Sequence, residues 1–390
     1  MPFGIGVARA AFVSVAMITV ASTAGCRATD RASEDAASRD LSIGTTSPAV
    51  PSPGDRNARL GDEIMIAGQL FHTGAPVVLW TDPGGYDAYR AEYRFTPFIR
   101  PRRTSEGEPS TPQRYNLRAD TLTDEEIERV RGGGWDLPTL QKVVDQFVMH
   151  YDVCGDSRTC FRVLHDGRHL SVHFMLDLDG TIYQTLDLKE RAWHATVSNS
   201  RSVGIEIANM GAYPSPDDDV LREWYAREGE RTRITLPPRR GDGALRDLSM
   251  PLYASRAEPV SGVIQGRELF QYDLTDAQYE SLIKLTATLS TALPRIRLEA
   301  PRGPDGAVIP GVLPPDELAS FQGVLGHYHV QSNKVDPGPA FDWDRVLEGA
   351  RATKRSGSPR GHWGAAPAPK WADRSDPVRS KIERSPIERE

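Results

Sequence analysis

A mixed α/β domain, with a mostly β central sheet flanked by helices, is what three features of this 390-residue sequence predict. Residues 143–151 and 203–207 are short apolar stretches with strand character. In the second, Val203, Ile205 and Ile207 share one face, and Gly204 and Glu206 lie on the other. Residues 171–176 and 181–186 flank an Asp-Leu-Asp-Gly turn and read as a hairpin. Thr275-x-x-Gln278 is a capping box opening a helix with apolar Tyr279, Leu282, Ile283 and Leu289, ended before Pro294. Strands alternating with helices around one sheet give this fold class.

The remaining elements follow in order. EIMIAGQLFHTGAPVVLW, residues 63–80, has two apolar runs around a His-Thr-Gly-Ala-Pro break and predicts a small hairpin. Residues 99–115 read as loop. Thr123 to Glu126 is a second capping box, opening a short helix that the glycines at 132–134 end. A short helix is expected over 157–166. More than sixty residues separate the Glu206 strand from the Thr275 helix, and they contain PSPDDD and LPPRRGDG. This insertion, at about 210–270, is expected to be a partly ordered loop near the site. Residues 351–390 hold ten Lys or Arg against five Asp or Glu among Pro, Ser and Gly, and read as a disordered basic tail.

The N-terminus has Arg9, an apolar run over 10–21 and then STAGC ending at Cys26. This is a secretory signal, residues 1–25, too short for a membrane span. Ala24-Gly25-Cys26 has the form of a bacterial lipoprotein processing site, although Thr23 stands where an aliphatic residue is usual. Cys26 is therefore the expected lipidation site, followed by a flexible tether to residue 60 and an N-terminal extension over 61–120. The expected location is the cell envelope, lipid-anchored to the outer membrane and facing the periplasm. Of three cysteines, Cys154 and Cys160 remain as an even pair in an oxidising compartment. The formal charge of −6 and mean hydropathy of −0.45 give no argument for a nucleic-acid partner.

GHYHVQSNKVDPGPAFDW, residues 326–343, carries the most chemistry. It groups His327, Lys334 and Asp336, and FVMHY upstream supplies His150. Two imidazoles and a carboxylate are the donor set of an open, hydrolytic zinc site. In an extended segment Lys334 and Asp336 emerge on the same side, which puts a cation beside the metal. His329, two residues from His327, is the competing ligand under that geometry. Asp177-Leu-Asp179-Gly180 lacks the remaining ligands of a calcium loop and reads as a turn.

FVMHY, SVHFMLDLDGTIYQ, RAWHA, SVGIEIAN and GHYHVQSNKVDPGPAFDW occur in that order. Together they resemble the type 2 N-acetylmuramoyl-L-alanine amidases, which share a fold with peptidoglycan recognition proteins, and in style the outer-membrane lipoprotein members. The resemblance covers about 140–347 and implies a zinc amidase domain over 121–350. It implies His150, His327 and Asp336 as Zn2+ ligands, Glu206 and Lys334 as catalytic, and His173 and His194 as substrate-lining. It also implies a Cys154–Cys160 disulfide. The implied reaction is hydrolysis of the amide between N-acetylmuramic acid and L-alanine, with peptidoglycan or muropeptides and, through the anchor, a membrane as partners. The rival readings are a non-catalytic peptidoglycan-binding module and a metal-dependent peptidase acting on the stem peptide.

Overall fold

Residues 59–90 and 115–357 are described by the computed structural model, all of them within the unit Asp55–Glu390. The signal, Cys26, nearly all of the tether and residues 358–390 lie outside the described residues. The chain enters as an antiparallel hairpin, β1 (Glu63–Ile66) and β2 (Gln69–His72), turning at Ala67 and Gly68 with φ of 50° and 75°. Two central residues of positive φ match the right-handed twist of a tight hairpin. The turn therefore falls inside the first apolar run and not at the His-Thr-Gly-Ala-Pro break. The second run becomes β3 (Val77–Leu79), an edge of the central sheet.

After β4 (Tyr115–Leu117) comes α1 (Asp124–Arg131), opened by the reciprocal Thr123–Glu126 capping box. Next is α2 (Leu137–Val143), capped by Asp136. This helix takes the front of the stretch read as strand, because Leu137, Leu140 and Val143 are buried at helical spacing. Strand β5 (Gln146–Tyr151) starts only beyond it. There follow α3 (Ser157–Phe161), β6 (Phe174–Leu176) and β7 (Ile182–Gln184) as the expected hairpin, β8 (Glu190–Ala192) against β4, and β9 (Ser202–Ile207).

The insertion has regular structure of its own. It contains α4 (Asp219–Trp224), the hairpin β10 (Tyr225–Glu228) and β11 (Arg231–Ile234), and the hairpin β12 (Val260–Ile264) and β13 (Arg267–Gln271). Leu221, Trp224, Tyr225 and Ile234 build a separate apolar cluster with Leu178, Ala208 and Met210. Fully burying each such side chain contributes about 1.5–3 kcal/mol. Gly155, at φ 76°, lets Trp224 approach, since a Cβ there would lie 2.4 Å from the ring. Last come α5 (Asp276–Ala292), α6 (Pro315–Ser320), β14 (Gly323–Gly326), α7 (His327–Val330) and α8 (Trp343–Arg355). Helix α8 thus includes residues 351–355, assigned from sequence to the tail; its alternating Val346, Leu347 and Ala350 bury against the core.

The central sheet has six strands in the order β14-β5-β9-β6-β7-β3, parallel throughout except for the β6–β7 pair. Phe147, Met149, Phe174, Val203, Ile205 and Val324 turn to one face and pack with Leu282, Leu285 and Leu289 of α5 and Val346 and Leu347 of α8. Because side chains alternate along a strand, the intervening residues face the other way. These include His150, Ser202, Gly204 and Glu206. The register sets His150 opposite Glu206 on neighbouring strands.

Candidate metal centre and active site

Three ligand atoms converge at the end of β5. His150 Nδ1 lies 3.0 Å from His327 Nδ1, and each is 2.9 Å from Asp336 Oδ2. All three residues are buried. A tetrahedral zinc site with bonds of about 2.0–2.1 Å has ligand–ligand edges of about 3.3 Å, so the triangle, with edges of 2.9–3.0 Å, is a few tenths of an ångström tighter than such an ion would set it.

His327 Nε2 is 2.7 Å from Gln331 Oε1, an oxygen that only accepts, so Nε2 carries the proton and Nδ1 keeps its lone pair. His150 Nε2 meets His194 Nδ1 at 3.0 Å, and His194 Nε2 meets Ser202 Oγ at 3.2 Å, contacts in which either side can donate. The His327 lone pair and a carboxylate oxygen thus face the centre beside His150 Nδ1, a donor set that suits a cation. Burial, together with the neighbouring His327, holds the His150 pKa down at about 4, keeping it in the neutral, ligating form. Burial opposes ionisation of Asp336, yet the two rings beside it keep its carboxyl well below the usual range.

Glu206 and Lys334 flank this centre. Burial first, then the negative charges of Asp336 and Asp152, push the Glu206 carboxyl well above its ordinary value, against Lys334 and Arg168. Lys334 is half-buried; it acts on both His150 and Glu206 as a nearby positive charge. The arrangement therefore offers a triangle that could hold a metal ion, a carboxyl whose pKa burial raises well above its ordinary value, and a cation.

The two other expected histidines part company. His194 orients His150, and its ring lies against β9 where Gly204 leaves room; a Cβ there would be 2.5 Å from the imidazole. His173 does not line an open surface. It is fully buried, its Nδ1 accepts from Gly204 N at 3.1 Å, and its Nε2 faces Glu190 O at 3.0 Å. Burial and the adjoining Arg118 guanidinium hold its pKa at about 3. The structure thus corrects the substrate-lining expectation for His173: both nitrogens are used by the fold. His329 is likewise no ligand, because residues 327–330 form a helical turn and not an extended segment. Its Nδ1 accepts from Gly326 N at 2.9 Å, and its Nε2 faces Ile309 O at 2.8 Å.

The cysteine expectation also needs correcting. Cys154 and Cys160 are both buried, and no disulfide joins them. Burial, with Cys154 hydrogen-bonded to it, raises the Cys160 thiol well above its usual value. The loop is secured by other means: Asp152 Oδ1 accepts from the amides of Cys154, Gly155 and Asn209 at 2.9, 3.0 and 3.2 Å.

Three contributors escaped the sequence reading. Ser202 shares the strand face of Gly204 and Glu206, a period-two signal open to inspection. Gln331 stands four residues after His327, the spacing of neighbours on a helix. Arg118 left no such sign. It is fully buried and donates to the carbonyls of Leu188, Asn199, Ser200 and Ser202 at 2.8–3.2 Å, bracing the loop that carries His194.

No match was found among curated proteins. Solved structures that resemble the chain include a complex of the N-acetylmuramyl-L-alanine amidase AmiD from E. coli with anhydro-N-acetylmuramic acid-L-Ala-D-gamma-Glu-L-Lys. It is 18% identical, with 53% of this chain and 57% of that chain covered and a TM-score of 0.31. The chain thus spans little more than half of that relative's length. An AmpD derivative shows 18% identity over 60% of this chain and 89% of that one, at a TM-score of 0.28. The endolysin amidase LysCS from Clostridium intestinale shows 16% over 54% and 84%, also at 0.28. Residues 140–234 match the N-acetylmuramoyl-L-alanine amidase family, a stretch holding His150, His173, His194 and Glu206 and stopping before His327. On that match, residues 140–234 are similar to the N-acetylmuramoyl-L-alanine amidases.

Proposed function

We propose that the protein is a zinc-dependent hydrolase of the amide between N-acetylmuramic acid and L-alanine in peptidoglycan or muropeptides. The observation that carries this reading is the triangle of His150 Nδ1, His327 Nδ1 and Asp336 Oδ2 beside Glu206 and Lys334. A zinc ion bound there supplies Lewis acidity toward water and toward the scissile carbonyl.

The chain's own groups do the rest. An amide resists attack because its resonance is lost as the carbonyl carbon becomes tetrahedral. Glu206 takes the proton from the attacking water and returns it to the leaving nitrogen; its carboxyl, raised well above the usual range by burial and by Asp336, favours holding that proton between the two steps. Lys334 holds positive charge where the carbonyl oxygen gains negative charge. Gln331 keeps the His327 imidazole in the tautomer with Nδ1 free, and His194 orients the His150 ring.

The test is digestion of purified sacculi with mass spectrometry of the products, alongside metal analysis of the purified protein. The expected outcome is one zinc per chain and release of intact peptides beginning with L-alanine. Cuts within the stem peptide would assign a peptidase, and zinc-free protein that binds muropeptides unchanged would assign a binding module. We further propose that the protein works in the cell envelope, anchored through Cys26; the support is the apolar run over 10–21 and the Ala24-Gly25-Cys26 sequence. Metabolic labelling with a radioactive fatty acid that vanishes in Cys26→Ser is the expected result.

A further inference from the structure

We propose that Gln331 is a positioning residue for the metal ligand His327, and that the inserted hairpin β12–β13 holds it there. The proposal rests on the zinc reading above and reaches residues outside the matched segment 140–234.

Gln331 Oε1 is 2.7 Å from His327 Nε2, and Gln331 N donates to His327 O at 3.0 Å. The side chain and the backbone of one residue therefore both meet the ligand. Gln265, at the turn of the hairpin, fixes that residue's own place. Its Nε2 donates to Gln331 O at 3.1 Å and to Tyr328 O at 2.8 Å, and its backbone amide donates to Pro310 O at 2.8 Å. At the other end of the hairpin, buried Gln271 donates through Nε2 to Pro337 O at 3.0 Å and accepts from Ala340 N at 3.0 Å. The two glutamines thus bracket residues 331–337, the stretch that carries Lys334 and Asp336. A bare apolar contact in place of Gln331 would leave the His327 ring free to rotate or to carry its proton on Nδ1, where it cannot ligate.

Two variants separate this role from a merely structural one. Gln331→Leu keeps the bulk and removes the acceptor; Gln331→Glu keeps an acceptor that cannot donate. Zinc affinity, measured by competition with a chromophoric chelator, is expected to fall about 10- to 100-fold in Gln331→Leu. It should be retained or improved in Gln331→Glu, and weakened less in Gln265→Ala. In zinc-free protein, nitrogen NMR of the imidazoles should show His327 protonated on Nε2 in the wild type and in Gln331→Glu, and a mixture of tautomers in Gln331→Leu. Equal zinc affinity in all three chains, or a Glu variant as weak as the Leu variant, would overturn the proposal. A wild type that binds no zinc would sink the hydrolase reading instead, and the His327 tautomer would then decide the positioning claim by itself.

Discussion

Among the described residues, two clusters bring histidine and carboxylate groups within coordinating distance of one another, and they differ in how their ligand atoms are otherwise bonded. His150, His327 and Asp336 form the first; Asp62, Glu63 and His72 form the second. In the second cluster the oxygens are already spoken for. Glu63 accepts from the amides of Leu60 and Gly61 at 2.6 and 3.0 Å, with the Arg59 guanidinium at 3.4 Å. Asp62 accepts from Gly74 N at 3.0 Å and meets His72 Nδ1 at 2.8 Å. Those contacts close the turn before β1. In the first cluster, uncharged groups, Gln331 Oε1 and the His194 ring, occupy the outward nitrogens, and the inner ligand atoms face one another with no amide or guanidinium bonded to them. Proximity of ligating residues is therefore a weak criterion; the state of their remaining hydrogen bonds separates a metal centre from a structural turn.

Substitution can break that comparison. Asp336→Ala is expected to remove zinc and reduce peptide release to background, whereas Asp62→Ala should leave both within about twofold and cost about 1 kcal/mol in stability. Metal analysis, a sacculus digest and urea unfolding give the three readouts. Glu206→Gln should lower turnover by roughly 10²- to 10⁴-fold with one zinc retained. Lys334→Ala should lower it by roughly 10²- to 10³-fold, again with zinc bound, and Lys334→Arg should recover part of the loss.

The smallest expected effect concerns pH. His173 has a folded pKa near 3 against an unfolded value of about 6.5. Only the unfolded chain takes up that proton as pH falls, so the stability His173 contributes is complete above about pH 6.5 and is lost progressively toward pH 3. His173→Gln should show a shallower fall in urea midpoint between pH 7 and pH 4.5 than the wild type. Parallel curves for the two proteins would contradict this account of the residue.

The grouping of His150, His327, Lys334 and Asp336 was legible from the motif strings, and the pairing of β6 with β7 was legible from its turn residues. What misled the reading was local conformation. Treating residues 326–336 as extended made His329 a rival ligand and concealed Gln331, since a helical turn sends positions 327 and 331, not 327 and 329, to one side. The Ala67-Gly68 turn was hidden inside an apolar run because an alanine supplies one of its two positive-φ positions. The insertion was visible as excess length. Its hairpins were not: β10 exposes three of its four residues, and β12 exposes Ser261 and Val263, so those strands carry little alternation of apolar and polar residues to detect. Arg118 was the least accessible of all: nothing around it in the sequence announces that a guanidinium will be buried beneath four carbonyls gathered from distant positions.

The register that pairs His150 with Glu206 has a mechanical consequence. Those two groups ride on adjacent parallel strands in the middle of the sheet, so their separation is as stiff as the backbone ladder between them. His327, Lys334 and Asp336 arrive on a single short stretch of chain after β14 and travel as a cassette. A small slide of that cassette would carry His327, Asp336 and Lys334 away from His150 and Glu206 all at once, so the proposed catalytic assembly would come apart along one seam.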